Sequence, residues 1–163
     1  MFASVRVAAL VLLILSSIAA CRSGDTAPDA TRPKVTVGDA WVRATPPGAA
    51  VAGGYLTLTN TSDQPLRLVA VETPAAARVE IHEQRTVDGV MQMRPLTDGV
   101  LLDPGQPVSL APGGIHLMLM APPVALAAGE AVTLRLVFEG ADAVEIEAPV
   151  RAVAPAAGEA AHH

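Results

Sequence analysis

The sequence predicts an all-β domain, an antiparallel sandwich or barrel, and three observations carry that prediction. Between about Val35 and Val150, apolar and polar residues alternate in short runs such as "YLTLTN", "LRLVAVE" and "AVTLRLVFE". A period of two is the mark of a strand with one buried face. Clusters of turn-forming residues separate the runs: "TPPG", "NTSDQP", "DPGQP", "APGG" and "APP". Such regular punctuation belongs to sandwiches and barrels. Finally, no stretch of this segment carries a convincing helical period. With two Phe, one Tyr and one Trp in the whole chain, the core falls to Val, Leu, Ile and Ala.

The elements follow in chain order. Residues 1–20 hold one basic residue, Arg6, then an apolar run from Val7 to Leu15. That run is short for a membrane span, which needs about 20 residues, and suits the apolar region of a signal peptide. It ends in "IAAC", which resembles the bacterial lipobox, and Cys21 is the only cysteine of the chain. The expectation is a lipidated Cys21 that anchors the mature protein outside the cytoplasm. With one cysteine, no intramolecular disulfide forms. Residues 21–34, "CRSGDTAPDATRPK", read as a flexible tether, 35–150 as the folded domain, and 151–163 as a disordered Ala/Pro/Gly-rich tail ending in His162 and His163. Without residues 1–20 the chain has ten Lys and Arg against sixteen Asp and Glu, a formal charge of −6. This argues against nucleic acid or an anionic membrane face as the partner.

Within the domain, the further runs "ARVEIHE", "GIHLMLM" and "AVEIEAPV" complete the set of expected strands. Asp88-Gly89, flanked by Val87 and Val90, is a two-residue hairpin signal. That turn pairs Val87 with Val90, Thr86 with Met91 and Gln84 with Met93, and sets His82 opposite Pro95. Because alternate residues share a face, His82, Gln84 and Thr86 then face the same way as Met91 and Met93. Ile81 and Val79 point to the other side. His82 and Met93 become diagonal neighbours across the pair, within reach of long side chains.

"IHLMLM" obeys the same rule. Ile115, Leu117 and Leu119 take the core side; His116, Met118 and Met120 face a surface or an end of the sandwich. All four methionines other than the initiator thus lie on two strand faces, each beside one histidine. The bland reading makes the methionines gap-fillers and the histidines structural. The matched composition sets a two-His, two-Met site beside that reading, and the pattern alone leaves both open. Thioether sulfur is a poor ligand for Mg, Ca or Mn and suits Cu(I), while imidazole suits copper in either state. A blue-copper centre also needs a thiolate, which the domain lacks, and zinc more usually recruits Cys, Asp or Glu. The expected ion is Cu(I), one per chain.

The segment "HEQRTVDGVMQMRPL…PGGIHLMLM" resembles the signature of the periplasmic copper chaperone family PCu(A)C (DUF461): a His, a Met eleven residues on, and a His-x-Met some two dozen residues later. The likeness extends upstream through "DAWVRATPPGAAVAGGYLTLTN" and covers about residues 35–150. It implies a cupredoxin-like Greek-key β-sandwich and one surface Cu(I) held by His82, Met93, His116 and Met118. It also implies delivery of copper to the CuA or CuB centres of cytochrome c oxidase, or to a Sco-like protein. Many relatives carry a Met two residues after the first His, where this chain has Gln84. Met91 and Met120 lie on the right faces to line the site. His162 and His163 are a sparse version of the His/Met-rich tails of some relatives. The readings are a lipid-anchored copper chaperone that is not an enzyme, a copper-sequestering lipoprotein, or a metal-free interaction module.

Overall fold

The computed structural model describes residues 34–152. Among these the chain forms ten strands and no helix. They are β1 (Val35–Arg43), β2 (Val51–Asn60), β3 (Leu66–Glu72), β4 (Arg78–Val87), β5 (Val90–Pro95), β6 (Val100–Leu102), β7 (Pro107–Leu110), β8 (Ile115–Met120), β9 (Ala131–Glu139) and β10 (Val144–Arg151). The signal segment, Cys21, His162 and His163 lie outside the described residues, as does nearly all of the tether.

Every alternating run in the sequence is a strand here; β1, β6 and β7 were not expected. The alternation of β1 is broken at Gly38-Asp39, where its register with β2 shifts and Asp39 takes φ 49°. A bulge of this kind puts one residue out of phase and hides the period. Strands β6 and β7 are three and four residues long, and β7 starts on Pro107. A proline first in a strand costs no ladder bond, but it reads as a turn.

The strands lie in the order β5-β4-β8-β2-β1-β10-β9-β3-β6, with β7 also beside β2. The path has two open ends, so the molecule is a sandwich and not a closed barrel. All strand pairs are antiparallel except β1 and β10, which run parallel with Val42 opposite Val150. The antiparallel expectation fails at that seam, where the first and last strands meet. The seam joins a half made of β5, β4, β8, β2, β7 and β1 to a half made of β10, β9, β3 and β6. Five connections, after β2, β3, β5, β6 and β8, pass from one half to the other, which is Greek-key wiring.

Both halves turn their apolar faces onto one core. Val42, Leu56, Leu58, Leu117 and Leu119 come from the first half; Leu68, Leu102, Leu134, Leu136 and Phe138 come from the second. Asn60 is the fully buried polar residue at the rim of this core. Its amide nitrogen donates to the Gln64 and Leu102 carbonyls at 2.7 and 2.9 Å, and its oxygen accepts from the Ser62 N–H and hydroxyl. With every position used, its burial carries no desolvation debt, and it ties the turn after β2 to β6.

Candidate metal centre

The hairpin of β4 and β5 has the register the Asp-Gly turn demands. Val87 pairs with Val90, Thr86 with Met91, Gln84 with Met93, and His82 with Pro95. Asp88 and Gly89 have φ of 52° and 78°, the two positive values of a type I′ turn. Beyond Ile81 the side of β4 that would face the core becomes charged. Glu83 and Arg85 are there instead, so the hairpin extends past the end of the sandwich.

His82 sits where three strands overlap. On one side β4 pairs with β8, placing His82 directly opposite His116 and Glu80 opposite Met118. On the other, β5 brings Met93 to the diagonal position. One sheet face therefore carries His116 as the direct neighbour of His82, with Met118 and Met93 as its diagonal neighbours. The two imidazole centroids are 6.4 Å apart and inclined at 48°. With metal–nitrogen bonds of about 2.0 Å, both rings reach one ion at that separation.

Exposure grades across this face. His116 is only 7 % exposed, against the expectation that the His/Met side of β8 would be open, because β8 lies between β4 and β2. Met118 is half-buried. Met93 is 47 % exposed and Met91, one step further along the hairpin, is 65 % exposed. Met120 pairs with Arg78 and Val51, two positions beyond Met118. Neither Met91 nor Met120 adjoins His82.

The ring nitrogens are committed in a definite way. His82 Nε2 lies 2.9 Å from Glu80 Oε2, and His116 Nδ1 lies 3.0 Å from the Gly114 carbonyl. Carboxylate and carbonyl oxygens only accept, so each of these nitrogens carries the proton. In the neutral rings His116 Nε2 and His82 Nδ1 keep their lone pairs. His82 Nδ1 is also buried and has no hydrogen-bond partner. A buried polar atom without a partner is costly, and a metal ion is one way to satisfy it. Among the described residues no group of three or more His, Cys, Asp or Glu can hold an ion. The donors present are two imidazoles and thioethers, which suit a soft monovalent ion.

The surrounding charges are paired. Arg78 Nε donates to Glu80 Oε1 at 2.7 Å. The Arg78 and His82 hydrogen bonds hold the Glu80 carboxyl below the usual carboxylate range. Behind the hairpin, Arg85 and Arg94 both bond Glu83 at 2.7 Å and lower its pKa in the same way.

On the other flank, β2 places Gly53 opposite Met118. A Cβ at Gly53 would lie 2.5 Å from the Tyr55 hydroxyl, so Tyr55 leans over Gly53 towards the site. Trp41 packs on Tyr55 with centroids 4.4 Å apart. Sequence reasoning passed over Glu80, the Gly114 carbonyl and this aromatic wall. The one available signal was Glu80 itself, two residues from His82 and so on its face.

Residues 35–150 match the sequence profile of LpqE-like lipoproteins. The chain belongs to the LpqE-like family. One relative is Lxx21020 of Leifsonia xyli subsp. xyli, a protein named as a lipoprotein. It is 30 % identical over 117 residues, which cover 72 % of this chain and 69 % of that protein. Among the solved structures that share the fold, two hold copper. The copper-bound PCuAC domain of PmoF2 is 30 % identical with a TM-score of 0.60, over 74 % of this chain and 94 % of that domain. The CuI form of DR1885 from Deinococcus radiodurans is 29 % identical with a TM-score of 0.54, over 78 % of this chain and 85 % of that one. The PCu(A)C resemblance and its cupredoxin-like sandwich, both expected from the sequence, hold for this LpqE-like chain.

Proposed function

We propose that this protein is an extracytoplasmic Cu(I) chaperone, anchored by a lipid at Cys21, in which His82, Met93, His116 and Met118 hold one copper ion. The observation that carries the reading is the buried, unpartnered Nδ1 of His82 at the centre of a face of soft donors. The copper-bound PmoF2 domain and the CuI form of DR1885 support it from outside. Imidazole and thioether are neutral ligands, so the site carries the single charge of a monovalent ion, half of what a divalent ion would leave there. The ion is cargo, and the chain is a carrier rather than an enzyme.

The gradient of exposure suits transfer. His116 fixes the ion from the buried side, and Met93 closes it from the exposed side. An incoming ligand from an acceptor displaces Met93 first while the histidines still hold. The acceptor in this reading is a copper centre of cytochrome c oxidase, CuA or CuB, or a Sco-like protein. The family's lipoprotein character supports work on the outer side of a membrane.

The test is Cu(I) stoichiometry and transfer under reducing conditions. One ion per chain is expected, with thermal stability raised on binding. A His116→Ala, Met118→Ala double variant should lose both effects while keeping its β-sheet spectrum. Transfer to an apo CuA domain should outpace that from a passive chelator of equal affinity. Equal rates would make the protein a copper store, and unchanged thermal stability with Cu(I) would leave a metal-free binding module.

A further inference from the structure

We infer that Glu80 is a positioning residue for the metal site, committing His82 to bind the ion through Nδ1 while His116 binds through Nε2. The inference rests on the copper reading above and adds the ligating atoms and the residue that selects one of them.

Glu80 is two residues before His82 on β4 and shares its face. Its Oε2 accepts the proton of His82 Nε2 at 2.9 Å, and its Oε1 accepts from Arg78 Nε at 2.7 Å. Both carboxylate oxygens are therefore engaged, and Arg78 fixes the rotamer that points Oε2 at the ring. A carboxylate oxygen that accepts from the ring admits one neutral tautomer of His82, the one with its proton on Nε2. The lone pair is left on Nδ1, the atom that is buried without a partner. The carboxylate cannot reach the ion without breaking these bonds, so its effect passes through the imidazole.

His116 is set the opposite way. Its Nδ1 proton goes to the Gly114 carbonyl at 3.0 Å, leaving Nε2 for the ion. Nδ1 is the ring nitrogen nearer the backbone and Nε2 the further one. Two histidines directly opposite in the ladder thus present unequal reach, the shorter arm on β4 and the longer on β8. A carboxylate on the remote nitrogen also makes the ligating nitrogen more basic, and losing such a partner typically costs 10–100-fold in metal affinity.

The experiment compares the wild-type protein with Glu80→Ala and Glu80→Gln. Long-range 1H–15N correlations of the metal-free protein report each histidine tautomer, and competition with a chelator reports Cu(I) affinity. The wild type should show protonated Nε2 on His82 and protonated Nδ1 on His116. Glu80→Ala should give mixed tautomers at His82 alone and about 10–100-fold weaker Cu(I) binding. Glu80→Gln, which keeps an amide oxygen as acceptor, should recover part of both. A His82 protonated on Nδ1 in the wild type, or a Glu80→Ala protein with unaltered tautomer or affinity, would overturn the inference while copper binding itself stood. A wild type that binds no Cu(I) would overturn the underlying reading and this inference together.

Discussion

Strands β8 and β9 follow one backbone rule and end in different chemistry. Each buries alternate apolar residues in the shared core, Leu117 and Leu119 from β8, Leu134 and Leu136 from β9. Their other faces differ. On β9, Thr133 donates to Glu147 at 2.6 Å and Arg135 meets Glu72 at 2.8 Å. Those groups are hard and mutually satisfied, and they ask for nothing further. On β8 the corresponding positions are His116, Met118 and Met120, facing a histidine with a buried nitrogen left over. The difference shows that a sheet face becomes a site through what it leaves unsatisfied, since both faces contain polar side chains.

The largest effect that separates the two regions comes from the core behind β9. Leu134 is fully buried, and Leu134→Ala should cost about 2–5 kcal/mol of stability in denaturant unfolding. Copper stoichiometry per folded chain should not change; a parallel loss would mean that the two faces are not independent. Next comes the wall beside β8. Gly53→Ala sets a methyl group against the Tyr55 hydroxyl and should cost about 1–3 kcal/mol by overpacking. Displacing Tyr55 should also alter the fluorescence of Trp41, the only tryptophan, and weaken Cu(I) binding at Met118. Unmoved fluorescence and affinity would show that the tyrosine is not part of the site. The smallest effect is expected from the outer face of β9. Arg135 and Glu72 are half-exposed, so Arg135→Ala should change stability by about 0–1 kcal/mol and leave copper affinity alone.

The sequence by itself determined what depends on neighbours along the chain. The Asp88-Gly89 turn set the hairpin register, and that register put His82 and Met93 on one face. Alternation sorted "IHLMLM" into a core side and a donor side. These are local rules, since turn geometry and the period of two act over a few residues. The bulge in β1 and the short, proline-led β7 escaped because irregular pairing erases that period.

Only the tertiary structure decided which strands lie side by side. Nothing in the spacing says that β4 and β8, 34 residues apart at His82 and His116, form a ladder with those two residues opposite. That pairing comes from the Greek-key path, which brings the apolar faces of the two halves onto one core. It buries His116 between two neighbours and leaves Nδ1 of His82 buried without a partner. The donors were legible in the sequence. The selection of one nitrogen over another was not, because alternation puts Glu80 on the face of His82 without saying which ring nitrogen its carboxylate meets.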